Sequence, residues 1–184
     1  MLIRGQLVTL RPACLQDREK IYRWMAESDV TPLMMGPPVF PNEAIPSFEQ
    51  FCADYTDAFF SNAGDGVGRS FVIRAQGNGV GHVSYSNVAR KDALAELDIW
   101  MASLAYCGQG YGPDALAALA EHLREVYFFS QFLLRPSRRN RRAIAAYQRA
   151  GFNVVDPVSA LPQSHRDRGD YDDTICLLKV YDAA

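Results

Sequence analysis

The chain has 184 residues, room for one domain spanning 1–184 and not for the two-domain enzyme classes. A hydrophobic share of 48% against 22% charged excludes a disordered or fibrous chain, and a formal net charge of -2 gives no global basic field for nucleic acid. No apolar run nears the roughly 20 residues of a membrane span, Met1-Leu-Ile-Arg-Gly is too soon polar for a secretory signal, and Cys14, Cys52, Cys107 and Cys176 lack zinc or disulfide spacing, which suits a reducing cytoplasm. In chain order, Leu7-Val-Thr-Leu-Arg-Pro predicts a first strand stopped at Pro12. Asp17 opens a helix with Ile21, Trp24 and Met25 on one face. The proline-rich stretch 32–46 predicts a loop. A second helix follows Ser47, with Phe48, Phe51, Tyr55 and Phe59 on one face; Gly64-Asp-Gly-Val-Gly is a turn. Two strands at 71–75 and 80–86 join through Gln76-Gly-Asn-Gly, a hairpin signal.

The second half is more regular. Ala95-Glu-Leu-Asp-Ile-Trp-Met alternates as a strand, and a glycine turn at 108–112 leads into a helix at 113–127 with Leu116, Leu119, Leu123 and Val126 on one face. A strand at 130–135, a helix at 140–150 ended by Gly151, a strand at 152–155, a polar loop and a strand at 174–181 complete the chain. The order predicts an α/β (α+β) sandwich, one mixed sheet of about seven strands with helices on both faces.

Tyr106-Cys-Gly-Gln-Gly-Tyr-Gly-Pro-Asp is the most informative segment, because a strand, a glycine turn and an amphipathic helix follow one another. Free N–H groups of Gly108, Gln109, Gly110, Tyr111 and Gly112 and the positive end of the helix would converge on one point, a place for a pyrophosphate. No Lys-Ser/Thr follows, so this is no P-loop, and its mid-chain position does not suit a dinucleotide fingerprint. On its own, a glycine turn without function explains it equally well. A second signal, Asn140-Arg-Arg-Ala-Ile-Ala-Ala-Tyr-Gln-Arg-Ala-Gly-Phe, begins about 28 residues later, on the next strand-to-helix turn.

Together the two stretches resemble the GNAT superfamily of acetyl-CoA-dependent N-acetyltransferases. Its motif A, Gln/Arg-x-x-Gly-x-Gly/Ala, falls on residues 107–112, with Cys107 standing where the motif has Gln or Arg. Its motif B, Asn-x-x-Ala-x-x-x-Tyr-x-x-x-Gly-Phe, is matched by Asn140, Ala143, Tyr147, Gly151 and Phe152. The resemblance implies acetyl-CoA as co-substrate and a splay between the fourth and fifth predicted strands. Pantetheine would lie there against the backbone of Trp100 and Met101, where an N–H could polarise the thioester carbonyl. Asn140 would cap its helix and also contact pantetheine. Arg142, with Arg138, Arg139 and Arg141, would meet the phosphates of CoA or form a solvated face. Tyr147 would protonate the leaving thiolate, against the plain alternative of a core tyrosine.

Glu96 and Asp98 lie two apart on their strand and so share a face, opposite Leu97, Ile99 and Met101. Two carboxylates on a central strand call for a water-filled cleft or an arginine partner. One would relay the proton of the amine and the other hold its positive charge; the sequence leaves open which. His82 is a weaker base candidate that also reads as a structural histidine, and Ser84 and Tyr85 are placed along the same cleft. The acceptor side is expected from residues 30–38, including Met35, from the helix 48–59 and from the loop 157–173, whose Asp170, Asp172 and Asp173 could attract a polycation. Leu134-Arg-Pro-Ser-Arg-Arg-Asn and the acidic strand resemble the aminoglycoside 6′-N-acetyltransferase branch, whereas the Leu-Arg-Pro start and Gly-Gln-Gly-Tyr-Gly resemble ribosomal-protein N-terminal acetyltransferases. A small-molecule amine is therefore expected as acceptor, a peptide N-terminus second, with neither nucleic acid nor membrane as partner, no metal, and a homodimer left open. A non-catalytic acyl-CoA-binding domain is the alternative from outside the enzymes.

Overall fold

The computed structural model describes residues 2–63, 68–89, 92–163, 166 and 171–181. Residues 64–67 of the predicted turn at 64–68 and the acidic residue Asp170 lie outside the described residues, and Gly68 begins a strand instead. Eight strands form one sheet: β1 (Ile3–Arg4), β2 (Thr9–Pro12), β3 (Gly68–Ala75), β4 (Asn78–Ala89), β5 (Leu94–Met101), β6 (Gln131–Leu134), β7 (Asn153–Val155) and β8 (Cys176–Val180). They are ordered β1-β2-β3-β4-β5-β6-β8-β7. The helices are α1 (Arg18–Ala26), α2 (Thr31–Met34), α3 (Phe48–Asp54), α4 (Tyr111–Tyr127), α5 (Arg141–Arg149) and α6 (Pro157–Ala160).

The extra strand relative to the sequence reading is β1, two residues long and too short for alternation to show; it pairs with β2 at Ile3↔Leu10. The segment between them is held by a carboxylate far along the chain: Asp114, in the first turn of α4, accepts the N–H groups of Gln6, Leu7 and Val8 at 2.9, 2.7 and 2.9 Å. Two short helices also fall where loops were expected. In α2, Pro32 sits in the first turn, where its missing N–H costs no hydrogen bond. In α6, Pro157 does the same behind Asp156, whose side chain accepts from the Val158 N–H. The helix after Ser47 ends at Asp54 rather than reaching Phe59, which lies in a 3-10 turn (Asp57–Phe60). Ser47 and Gln50 close a reciprocal cap at its start. The β3–β4 hairpin turns on Gln76 and Gly77, both at positive φ, as its tight geometry requires.

The sheet divides two apolar layers. Leu97, Met101, Tyr111, Leu116, Leu119 and Leu123 belong to the layer beneath α4, joined by Ile144 and Tyr147 of α5. Ile21, Met25, Phe51, Phe59 and Trp100 belong to the layer beneath α1 and α3. Val126, expected on the buried face of α4, is 45% exposed, and Ala115 and Ala120 are buried there instead.

β5 and β6 are the one parallel pair among the described strands, and their pairing is short: Leu94↔Gln131, Ala95↔Phe132 and Glu96↔Leu133. β5 then continues to Met101, still paired with β4 on its other side at His82↔Trp100 and Gly81↔Met101. The edge of β5 from Leu97 onward therefore has no β6 partner. This is the splay expected between the fourth and fifth predicted strands.

Candidate functional site

Two cavities meet at this splay. The first, of about 140 Å³, is lined by Trp100 and Met101 of β5, Cys107, Gly108, Gly110 and Gly112 of the turn before α4, and Asn140, Arg142 and Tyr147 of α5. The second, of about 810 Å³, lies on the α1/α3 side and is lined among others by Met35, Tyr55, Glu96, Asp98, Arg135 and Tyr171. Ile99, Trp100, Asn140 and Tyr147 border both.

The floor of the first cavity is built by local chain geometry. Gly108 and Gly110 have φ of +78° and +83°, which a residue with a Cβ enters only with strain. Gly110 is the N-cap of α4, and from Gly108 to Gly112 no main-chain N–H donates to a group among the described residues. Free donors beside a positive helix end are the arrangement that suits an anion, and the turn is a candidate anion cradle. The turn leading in is pinned from outside: Asp29 accepts the Leu104 N–H at 2.8 Å and the Ser103 hydroxyl at 3.1 Å. Cys107, where the family motif has a polar or basic side chain, is half-buried. Burial pushes its thiol pKa up, Arg142 opposes that and Asp29 adds to it, so the group stays a neutral thiol. Asn140 caps α5 by accepting the Ala143 N–H at 3.1 Å, and Arg142, two residues further on, also lines the cavity.

Some expected residues lie elsewhere. The Gln109 side chain folds back, its amide donating to the Ala105 carbonyl, and Tyr111 is 8% exposed in the core; both can serve the cradle only through main-chain N–H groups. Tyr85 is 2% exposed and packs against Tyr127 of α4, because alternation along β4 turns it away from the cleft that Ser84 and Ser86 line. Arg139 does not face the first cavity: its guanidinium meets Asp173 at 3.1 Å, donates to the Val39 carbonyl and covers the Phe40 ring. Arg138 and Arg141 are exposed, away from both cavities. Asp173 is spent on Arg139 and the Ser137 hydroxyl, and Asp172 is exposed away from the second cavity.

The two carboxylates of β5 share a face, as alternation requires, but have different partners. Glu96 meets Arg135 at 3.3 Å, and the Arg135 side chain is 3% exposed. Asp98 is exposed at the second cavity; its Oδ1 accepts the Ile99 N–H at 2.8 Å and its Oδ2 accepts the Tyr55 hydroxyl. Burial, reinforced by the charge of Asp98 and by Tyr171, holds the Tyr147 phenol well above the ordinary value of 10.0, so it keeps its proton. His82 is fully buried against Trp100, ring centroids 4.2 Å apart, and burial pulls its pKa down to about 3. A group that stays neutral in the core does not collect a proton from a substrate, so its role is packing.

Tyr55, Tyr171, Asp54 and Glu43 line the second cavity and were not singled out by sequence reasoning. Tyr55 was visible only as one ring in an aromatic stripe, and its partner Asp98 is 43 residues away. Among the described residues the lining carries four carboxylates, Glu43, Asp54, Glu96 and Asp98, against one guanidinium, that of Arg135. Among the described residues there is no group of three or more His, Cys, Asp or Glu able to hold a metal ion, and no helix long and apolar enough to cross a membrane.

The splay of a parallel pair thus lies beside a turn of free main-chain N–H groups, with a tyrosine where two cavities meet. Residues 8–153 match the acetyltransferase (GNAT) domain family model, and the chain belongs to the GNAT acetyltransferase family. No curated protein sequence matches the chain significantly. Among solved structures, the fold is similar to aminoglycoside acetyltransferase AAC(6')-Ib in complex with paromomycin and acetyl-CoA, with TM-score 0.69, 18% identity, and 95% of this chain and 94% of that one covered. It is similar to the ribosomal alpha-N-protein acetyltransferase RimL in complex with coenzyme A, with TM-score 0.71, 18% identity and both chains covered in full (100%). It is also similar to the microcin self-immunity acetyltransferase MccE in complex with acetyl-CoA and AMP, with TM-score 0.66, 17% identity, and 96% and 94% covered.

Proposed function

We propose that this acetyltransferase moves the acetyl group of acetyl-CoA directly onto a primary amine of a small cationic molecule of the aminoglycoside kind. The first cavity takes the donor: the free N–H groups at 108–112 and Arg142 suit its diphosphate, and the unpaired edge of β5 near Trp100 and Met101 suits its amides. The second cavity takes the acceptor, and its excess of carboxylates suits a polycation. The observation that carries this reading is the position of Tyr147 and Asp98. The protonated phenol borders both cavities, and the carboxylate stands close enough to affect its ionisation.

The amine arrives as an ammonium ion. Asp98 is the better placed of the two carboxylates to relay its proton through water, because Glu96 is committed to Arg135. The freed nitrogen attacks the thioester carbon, the carbon–sulfur bond breaks, and the thiolate takes the Tyr147 proton; the nitrogen sheds its second proton as the amide forms, and through water that proton restores the phenol. The test is release of free CoA thiol from acetyl-CoA with aminoglycosides and, in competition, an N-terminal peptide. Turnover with the aminoglycosides and a loss of ~10²-fold in Tyr147→Phe with donor binding intact are expected. Preference for the peptide would move the acceptor to a protein N-terminus, and donor binding without turnover of any amine would leave a non-catalytic acyl-CoA-binding domain.

A further inference from the structure

We infer that Tyr55 is a positioning residue for the reaction, acting through Asp98; this rests on the role proposed above for that carboxylate. Tyr55 follows directly on α3 and is held on several sides: stacked on Phe51 at 4.8 Å, edge-on to Trp100 at 5.8 Å and to His82 at 5.6 Å, and tilted against Phe59 at 5.3 Å. A ring packed by four others cannot swing freely, so its hydroxyl is a fixed donor. It points at Oδ2 of Asp98, while Oδ1 is tied to the Ile99 N–H of the same strand. With one oxygen tied from the helix and the other from the strand, the carboxylate is locked in one rotamer. That rotamer stands where the acceptor cavity meets the unpaired edge of β5, since Ile99 and Trp100 line both spaces. A carboxylate on a strand edge, without such a tie, would distribute among rotamers and lose the fixed placement that the reaction needs.

The arrangement makes α3 part of the acceptor machinery. The side chain touches no reacting atom; it fixes the group that does. Tyr55→Phe keeps the ring contacts and removes the oxygen. It is expected to lower kcat/KM for the amine by about 10-fold, with KM for acetyl-CoA unchanged. Asp98→Asn is expected to lose more, and combining the two changes should cost no more than Asp98→Asn alone, because the phenol acts on the chemistry through Asp98. A purely packing role for Tyr55 would give additive losses and would shift thermal stability instead. Equal activity of Tyr55→Phe and the parent, with Asp98→Asn impaired, overturns the inference and leaves the proposed function standing. If Asp98→Asn is as active as the parent, both fall. Additive losses in the double variant also overturn it. Should Tyr55→Phe fail to fold, Tyr55→His offers a ring N–H toward Asp98, and full activity there together with loss in Tyr55→Leu supports the inference; equal activity in both overturns it.

Discussion

Removing Glu96 tests whether that carboxylate serves structure before chemistry. Its partner, Arg135, carries a guanidinium that is 3% exposed, while the Glu96 side chain is 24% exposed and 3.3 Å away. Breaking a buried ion pair from one side costs about 3–5 kcal/mol, because the remaining charge stays in a low-dielectric setting without its counter-charge. Glu96 is partly open to the cavity, so water can follow into its place and the low end applies, about 3 kcal/mol. In a domain of this size each kcal/mol moves Tm by about 2–4 °C, so Glu96→Ala should melt about 6–12 °C below the parent by differential scanning calorimetry at neutral pH. The paired change Glu96→Leu with Arg135→Met removes both charges and should recover most of that loss. Assayed well below Tm, Glu96→Ala should retain more kcat than Asp98→Asn. A Tm within 2 °C of the parent (about 1 kcal/mol or less), or a paired variant no more stable than Glu96→Ala, refutes the assignment of Glu96 to Arg135.

Two further outcomes follow from single residues. His82, with its pKa pulled down to about 3 by burial, takes up no proton in the folded state where the unfolded chain, near 6.5, does. Its contribution to stability is therefore complete above pH 6.5 and is lost as pH falls toward 3, by up to about 1.4 kcal/mol per pH unit. Urea unfolding across that range should show a shallower loss in His82→Phe, and parallel curves would exclude this origin. Gly110→Ala places a Cβ at φ +83°, which costs about 1 kcal/mol and re-aims the N–H groups of the turn. Acetyl-CoA affinity by calorimetry should fall about 5–10-fold, the range of a 1–1.4 kcal/mol loss. Gly77→Ala, at the same φ but in the distant hairpin, should lose similar stability with affinity unchanged. Equal affinity in both variants would remove the turn from donor binding.

The parts of the site legible in the sequence were those written by local chemistry. The glycine turn, the Asn140 cap and the alternation that sets Glu96 and Asp98 opposite Leu97 and Met101 all depend on neighbours within a few residues. Alternation could also have excluded Tyr85, since adjacent Ser84 and Tyr85 cannot both face one side of a strand. Pairings between distant segments were not legible. An arginine partner for the strand carboxylates was one expectation, but the parallel register Glu96↔Leu133 that makes it Arg135, on Glu96, is written in neither segment. Tyr55 was hidden because its ring satisfies the aromatic stripe of a helix while its hydroxyl serves a strand. Likewise, Arg139 belonged to a basic run whose members the structure sends in different directions.

The three N–H groups gathered by Asp114 lie 106 to 108 residues from it along the chain. That carboxylate stands in the first turn of the helix whose start is the anion cradle. Closing that contact joins the opening strands to the middle of the chain, and contacts of such long range slow folding. Once it has closed, the Asp114 carboxylate is occupied by three backbone donors of the opening segment. Residues 2–10, which line neither cavity, thus anchor the first turn of that helix from outside the site.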